Sequence, residues 1–301
     1  MSKFLPALVG ALVLCGCASH APHSFAPTPA TTTGSVPNPA AMPTAPADDN
    51  LNAVAWTQTA LEHDLIYLET YRSAQSQLLA ALKDNHWDAL SPDDRAAPYP
   101  GLKPAVILDI DETVLDNSPY QARLIRHGGE YNEADWARWC KEERARALPG
   151  AVAFTQFAAR HGIAVIYISN RSQDLDRATI DNLLKAGLPV AGPDAFLGLG
   201  TLLRGCDQIG TEKHCRRQLV SQRYRVLMQF GDQLGDFVSV LDNTDTGRAQ
   251  AMTPYLGWIG KRWFVLPNPT YGAWEPALFH NAWSTPRDQR RQLKIQSLRT
   301  D

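Results

Sequence analysis

A short apolar segment that ends in two carboxylates constrains the fold of this chain more than any other feature. The run Val-Ile-Leu at 106–108 is followed directly by Asp109, and Asp111 comes two residues later. A short β-branched run is typical of a buried parallel strand, and α/β folds bind ligands in the crevice beyond the carboxyl ends of such strands. Since neighbouring carboxylates repel, a metal ion, a shared proton or a cationic substrate must offset their charge.

The rest of the chain alternates between apolar runs and helical patterns. Apolar runs at 163–168 and 225–230 predict a second and a third strand. Helices are predicted at about 52–84 (one long helix or two in series), 134–146, 150–160, 174–186 and 211–222. This alternation predicts an α/β fold with a parallel, doubly wound sheet flanked by helices. With 301 residues and 44% hydrophobic content, the chain is long enough to bury a full core.

The first fifty residues have the composition of a targeting segment followed by a tether. Residues 1–16 combine Lys3 with an apolar run that is too short to span a bilayer, as in a secretory signal. The sequence Leu-Cys-Gly-Cys that ends at Cys17 resembles a bacterial lipobox, which implies lipidation of Cys17 and, with Ala18 next, an outer-membrane lipoprotein. An ordinary signal peptide cut nearby is the alternative. Residues 17–50 are rich in Ala, Pro and Thr and predict a disordered tether, so the folded domain is expected over 51–301.

The net charge bears on possible partners, and the cysteine content bears on possible disulfides. A net charge of -2 gives no basic excess, so no nucleic-acid partner is expected. In an oxidising envelope compartment Cys206 and Cys215 could form a disulfide that leaves Cys140 over, but three free or buried thiols are an equal alternative. The sequence gives no prediction of the oligomeric state.

Polar side chains follow all three predicted strands at the point where each strand ends. Because the carboxyl ends of parallel strands meet at one edge of a sheet, we expect these side chains to converge although they are far apart in sequence. The set comprises Asp109, Asp111, Ser169, Asp232 and Asp236, with Lys213 on the predicted helix before the third strand.

The order of these residues resembles the haloacid dehalogenase (HAD) superfamily, and their surroundings resemble the class C bacterial acid phosphatases. The similar segments are Asp-Ile-Asp-Glu-Thr-Val-Leu-Asp-Asn-Ser at 109–118, Ser-Asn-Arg at 169–171, Gly-Asp-Gln-Leu-Gly-Asp-Phe at 231–237 and Leu-Pro-Asn-Pro-Thr-Tyr-Gly-Ala-Trp-Glu at 266–275. The resemblance covers about 51–275. It implies a HAD-like Rossmannoid sheet, a smaller helical cap from about 51–95 and 118–148, and a C-terminal segment at 267–301.

The resemblance also implies a chemistry. The family hydrolyses phosphomonoesters, several members acting on 5'-nucleotides, with one Mg²⁺ ion. By this likeness Asp109 is the nucleophile that forms an aspartyl-phosphate, and Asp111 is the proton donor and acceptor. The ion is expected on carboxylate oxygens of Asp109 and Asp232 and on the backbone carbonyl of Asp111, with Asp236 supporting it from an outer position.

Substrate contacts are expected from residues beside these carboxylates. Ser169, Asn170 and Lys213 are candidate phosphate ligands, although Lys213 lies in a basic run of the kind that usually forms a solvated helix face. Further candidates for the substrate are Arg171, Trp136, Trp139 and Tyr271. Arg171 could instead pair with a nearby acid, and the rings could be core residues.

Two alternative functions, a phosphotransferase and a binding protein without turnover, are compatible with the same candidate site residues. A phosphotransferase would pass the phosphoryl group to an alcohol instead of water. A tethered lipoprotein that binds nucleotides or phosphate without turnover would tolerate the loss of Asp109 or Asp111, and both are present. We therefore expect a phosphatase whose partners are a small phosphomonoester and, through Cys17, a membrane.

Overall fold

The computed structural model describes residues 49–301. The signal sequence of residues 1–16, the lipidation site Cys17 and nearly all of the tether predicted for 17–50 lie outside the described residues. The strands are β1 (Lys103–Leu108), β2 (Leu115–Asp116), β3 (Arg146–Ala147), β4 (Ala164–Ser172), β5 (Phe196–Leu199), β6 (Tyr224–Gly231) and β7 (Trp263–Val265). The helices are α1 (Leu51–Thr59), α2 (Leu61–Lys83), α3 (Ser118–His127), α4 (Glu133–Glu142), α5 (Ala151–Arg160), α6 (Asp176–Lys185), α7 (His214–Ser221), α8 (Asp245–Met252), α9 (Trp274–Ala277) and α10 (Arg287–Gln296).

A parallel five-stranded sheet in the order β5-β4-β1-β6-β7 forms the centre of the fold. Strand β1 lies in the middle, and the chain adds β4 and β5 on one side of it before adding β6 and β7 on the other. The carboxyl ends of β1, β4 and β6 therefore meet where the direction of strand addition reverses, which is the position at which open α/β sheets bind ligands. The predicted parallel α/β sheet flanked by helices is confirmed.

The alternation of side chains along β1 builds the core on both faces of the sheet. Val106 and Leu108 belong to one hydrophobic cluster, and Ala105 and Ile107 belong to another. Successive residues of a strand point to opposite faces, so an uninterrupted apolar strand requires a covering layer on each side.

Helix α2 covers one of these faces. The chain forms two helices in series that break at Ala60. Leu61 and Leu65, near the start of α2, are 66% and 51% exposed, whereas Tyr67 and Tyr71 are buried. The ring of Tyr71 stacks on Phe230 of β6 at 5.3 Å between centroids. Helix α2, which lies within the range 51–95 expected to contribute to the cap, therefore belongs to the layer that covers the sheet, whereas α1 packs on α3.

Helices α3 and α4 form an insertion that leaves and re-enters the main fold at one place. Strands β2 and β3 pair antiparallel, with Leu115 opposite Ala147 and Asp116 opposite Arg146. Both helices lie between these strands in the sequence, inside the range 118–148 that was expected to contribute to the cap. The two-stranded ladder thus closes the base of the insertion.

The edge strands of the sheet were not predicted. Strand β5 has four residues and β7 has three. Segments of this length are too short to show a period, so hydrophobic patterning does not distinguish them from loops.

Among the residues described, no helix combines the length and the apolar composition that a bilayer crossing requires.

Cys206 and Cys215 form a disulfide, and Cys140 is a buried free thiol. Of the two alternatives left open by the sequence, the structure shows the bridge. It connects the loop after β5 to the first turn of α7, close to Lys213.

We expect the double variant Cys206→Ser/Cys215→Ser to lose about 2–3 kcal/mol of unfolding free energy, because the bridge restricts the unfolded chain over a short loop. Urea unfolding of the oxidised protein and of the variant measures this difference. A dithiol reductant should lower the stability of the original protein to that of the variant and leave the variant unchanged. Equal stabilities before reduction would contradict this expectation.

Candidate active site

Three carboxylates meet at the carboxyl edge of the sheet. Asp109 follows β1, and Asp232 and Asp236 follow β6. One oxygen from each of them lies within 4.8 Å of the others, and Asp109 and Asp236 are buried. Clustered hard oxygen donors of this kind suit a divalent cation such as Mg²⁺.

The residues that follow β6 form a turn and not a helix, and this turn places Asp236 in the cluster. The segment Leu234–Asp236 is a single 3₁₀ turn, and the backbone N–H of Gln233 donates to Oδ2 of Asp236 at 2.8 Å. A Cβ atom at Gly231 would overlap the Asp236 carboxylate, so a glycine is required there. Asp236 was expected to support the ion from an outer position through a water, or to bind it directly. The structure brings one of its oxygens within 4.8 Å of oxygens of Asp109 and Asp232.

Lys213 is buried beside the carboxylates. It is 4% exposed and immediately precedes α7, whereas it was predicted within that helix. Its Nζ donates to Asp109 Oδ1, to Asp236 Oδ1 at 2.6 Å and to the carbonyl oxygen of Ile168 at 2.9 Å. The basic run around Lys213 is therefore not a solvated face: Arg216 and Arg217 are also fully buried.

Burial and neighbouring charges shift the pKa values of Asp109, Asp232 and Lys213. Burial raises the pKa of Asp109 to about 7; Lys213 opposes this shift, and Asp236 and Asp111 add to it. The pKa of Asp232 is also raised, mainly by burial and then by Asp236 and Asp109. Burial by itself would lower the pKa of Lys213, but the two carboxylates that it contacts raise it above its ordinary value. The cluster therefore favours a bound proton or cation over full ionisation.

The carboxylate of Asp111 points to a different set of partners. Arg171 donates to Asp111 Oδ1 from Nη2 at 2.7 Å and from Nε at 3.0 Å, and Asn117 Nδ2 donates to the same oxygen at 2.8 Å. Arg171 is 1% exposed, so this ion pair is buried on its cationic side. Of the two interpretations of Arg171, the structure supports the pairing with an acid, although Arg171 also lines the cavity described below.

Strand β4 brings Ser169 and Asn170 to the same edge. Ser169 is fully buried, its backbone carbonyl accepts from Arg216 Nη1 at 2.5 Å, and its Oγ lies 3.4 Å from Asp111 Oδ2. Asn170 is exposed and lines the cavity, with its Oδ1 held by Arg216 Nη2 at 2.7 Å. Arg216 thus fixes the end of β4, a role that the sequence did not reveal because nothing distinguishes Arg216 from its basic neighbours.

A cavity of about 1060 Å³ opens in front of the carboxylates. Trp136 and Tyr271 line it, as expected of substrate-facing rings. Trp139 does not: it is 3% exposed and packs in the core, where its indole N–H donates to Asn117. The helical spacing of the two tryptophans correctly places both on α4, but it does not determine which ring meets the core. Trp274 lines the cavity as well.

The loop after β1 is held by side chains that sequence reasoning missed. The phenols of Tyr67 and Tyr71 donate to the carbonyl oxygens of Glu112 and Thr113, the latter at 2.7 Å. Glu112 is buried, and burial followed by the charges of Asp111 and Asp232 raises its pKa. Its carboxylate accepts from the Tyr271 phenol, so the loop is connected to the C-terminal segment.

Comparison with known proteins adds independent evidence. A family model described as HAD superfamily, subfamily IIIB (acid phosphatase), matches residues 29–274. A class C acid phosphatase from Bacillus anthracis, solved with tungstate bound, is 33% identical with a TM-score of 0.72, and the match covers 84% of this chain and 97% of that one. Acid phosphatase 1 of Solanum lycopersicum is 28% identical over 171 residues, 55% of this chain and 57% of its own length.

Vegetative storage protein 1 of Arabidopsis thaliana is 30% identical over 169 residues, which is 55% of this chain and 54% of that protein. The chain thus spans a little over half the length of these plant relatives. The family model and the bacterial structure cover much more of it. On this evidence, together with the sheet whose edge gathers the acidic cluster and Lys213, the chain belongs to subfamily IIIB of the HAD superfamily, the acid phosphatases.

Proposed function

We propose that this protein is a Mg²⁺-dependent phosphatase that hydrolyses phosphomonoesters, including 5'-nucleotides, through an aspartyl-phosphate at Asp109. The observation that carries the proposal is the buried contact of Lys213 with Asp109 and Asp236 in a chain of this family. A structural ion pair would need one carboxylate, whereas this site holds a carboxylate cluster at the mouth of a cavity.

The donor set fits a magnesium ion. Oxygens of Asp109, Asp232 and Asp236 would hold it, and the backbone carbonyl of Asp111 is a further ligand by family likeness. When bound, the ion would offset negative charge on the carboxylates and on a phosphoryl group. The raised pKa values of Asp109 and Asp232 support this assignment, because burial and the neighbouring carboxylates disfavour the ionised forms and a bound cation would offset both effects.

The side chains divide the chemistry as follows. A carboxylate oxygen of Asp109 attacks phosphorus as the bond from phosphorus to the ester oxygen breaks, and Asp111 gives a proton to that leaving oxygen. Asp111 then takes a proton from water, which attacks the phosphorus of the aspartyl-phosphate and regenerates Asp109 with release of inorganic phosphate. Lys213 lies against Asp109 and would stabilise charge there. Ser169 and Asn170, near the end of β4, would donate to the phosphoryl oxygens.

The cavity supports a substrate with an aromatic group. Its volume of about 1060 Å³ is more than a phosphate needs, and Trp136, Tyr271 and Trp274 contribute rings to its wall. Stacking of a base on such rings contributes about 1–3 kcal/mol per base. A 5'-nucleotide would use both the carboxylate cluster and these rings.

The N-terminal sequence supports a location in the bacterial cell envelope. Lipidation of Cys17 would attach the domain to the outer membrane through residues 18–48, with Cys206 and Cys215 oxidised as envelope proteins allow. Metabolic labelling with a fatty acid, compared between the full chain and Cys17→Ser, tests the attachment.

Asp109→Asn should abolish phosphate release while the protein stays folded, because the amide is too weak a nucleophile to attack phosphorus. Phosphate release is measured with nitrophenyl phosphate and nucleoside monophosphates, with and without Mg²⁺, and folding by circular dichroism. Asp194→Asn, an exposed acid paired with Arg223, is the matched control and should retain full activity. Acid quenching of the original enzyme should trap a hydroxylamine-sensitive phosphoprotein. Turnover by Asp109→Asn would refute the covalent mechanism.

The metal-free protein should lose stability as the pH rises from about 4 to about 7. The pKa of Asp109 is raised from 3.8 to about 7 on folding, so the native state keeps a proton that the unfolded chain has lost. This stabilisation is complete below the unfolded pKa and disappears as the pH passes the folded one, with a slope of about 1.4 kcal/mol per pH unit for one proton.

Urea unfolding in a chelator at several pH values measures the slope, which should be smaller in Asp109→Asn. Added Mg²⁺ should stabilise the protein most at the high end of this range, where the carboxylates are ionised. A slope that Asp109→Asn leaves unchanged would show that another group is responsible.

Tyr271→Ala should lower kcat/KM for adenosine 5'-monophosphate about 5- to 100-fold relative to ribose 5-phosphate, since only the nucleotide has a base to stack. The ratio of the two values isolates the ring from effects on the phosphate site. An unchanged ratio would remove Tyr271 from the base contact. Tyr271→Phe should keep the nucleotide preference.

A further inference from the structure

We propose that Asn117 is a positioning residue for Asp111 and that the indole N–H of Trp139 sets the direction in which the Asn117 amide points. The inference rests on the proposed function, in which Asp111 delivers the proton to the leaving group. It connects the cap helix α4, which carries Trp139, to the proton-transfer step through one buried amide.

The Asn117 side chain is fully buried and both ends of its amide are hydrogen-bonded. Nδ2 donates to Asp111 Oδ1 at 2.8 Å and, at 3.4 Å, to the carbonyl oxygen of Leu115. Oδ1 accepts from Trp139 Nε1 at 2.7 Å and from Arg171 Nη2 at 3.3 Å. The amide therefore stands between the proton carrier on one side and the cap on the other.

Only one orientation of the amide satisfies these partners. An indole N–H and a guanidinium can only donate, so they require the carbonyl oxygen of Asn117. The Asp111 carboxylate accepts, so it requires the NH₂ group. A flipped amide would place its oxygen against a carboxylate and its NH₂ against the Trp139 N–H, two buried repulsive contacts. Trp139, whose contact with Oδ1 is the shorter of the two, thus holds the NH₂ group toward Asp111 together with Arg171.

The contacts distinguish the two oxygens of Asp111. Oδ1 receives Asn117 Nδ2 at 2.8 Å and Arg171 Nη2 at 2.7 Å and Nε at 3.0 Å. Oδ2 has only longer contacts, 3.3 Å to Arg171 Nε and 3.4 Å to Ser169 Oγ. Donors that crowd Oδ1 leave it no room for a proton, so Oδ2 is the oxygen that carries the proton to the leaving group. Asn117 thus adds to Oδ1 a neutral donor from a different element than Arg171, and the carboxylate is held by both.

The readout is the dependence of rate on the leaving group. An alkyl alkoxide needs a proton as it departs, whereas nitrophenolate leaves readily without one, so a misplaced Asp111 should slow the alkyl ester selectively. The comparison uses kcat/KM, which covers only the steps up to departure of the leaving group. For Asn117→Leu, of similar size but unable to hydrogen-bond, we expect kcat/KM for an alkyl phosphate to fall about 10- to 100-fold more than for nitrophenyl phosphate.

Trp139→Phe keeps an aromatic ring in the core and removes only the N–H. It should shift the ratio of the two kcat/KM values in the same direction by a smaller factor. Trp263→Phe is the matched control: Trp263 is also buried and its N–H donates to the carbonyl of Ala89 at 2.7 Å, remote from Asp111 in the hydrogen-bond network. It should leave the ratio unchanged. If Asn117→Leu fails to fold, the Trp139 and Trp263 pair still decides the inference.

Asp111→Asn separates this inference from the proposed function. A selective loss on the alkyl ester is expected there as well. If Asp111→Asn slows both esters equally, Asp111 is not the proton donor and the proposed role fails. If Asp111→Asn is selective but Asn117→Leu and Trp139→Phe change the ratio no more than Trp263→Phe does, the positioning role of Asn117 is overturned while the proposed function stands.

Discussion

The buried ammonium group of Lys213 is the interaction on which the rest of the site depends. It is the cation that contacts both Asp109 and Asp236, at a place where solvent screening is small. A buried charge is tolerated only with close partners, so the start of α7 must be fixed precisely. Arg217, held by Asp94 and the carbonyl of Gly235, and Arg216, held by the end of β4, fix it there. The basic run therefore stabilises the position of the lysine that contacts the carboxylate cluster.

The sequence predicted the elements of the fold that have long, regular hydrophobic patterns. Strands β1, β4 and β6 were found because their apolar runs are long, and the convergence of their carboxyl ends follows from a parallel sheet. What depends on tertiary contact was not predictable. Nothing local distinguishes Trp136, at the cavity, from Trp139, in the core, and the burial of Arg216 is set by carbonyl groups from distant strands.

The hydrophobic pattern of the sequence also does not predict that the carboxylates of Asp109 and Asp111 face different partners. Strand alternation would put both carboxylates on one face. Strand β1 ends at Leu108, however, and a turn closed by Val114 N–H to the carbonyl of Ile110 at 2.9 Å follows, so the two acids face different partners. The repulsion between neighbouring carboxylates is thereby reduced by geometry as well as by charge. Asp109 belongs to the carboxylate cluster with Lys213, and Asp111 faces Arg171 and Asn117.

The short ladder of β2 and β3 has a consequence for how the fold can vary. Because the insertion that contains α3 and α4 departs and returns through adjacent residues, a change in its length or sequence need not move the strands of the main sheet. Recombination at these two strands would replace one wall of the cavity and leave the carboxylate cluster unchanged. A grafted insertion must nevertheless supply a hydrogen-bond donor to Asn117 at the position of the Trp139 indole nitrogen. This one contact limits which insertions the fold can accept.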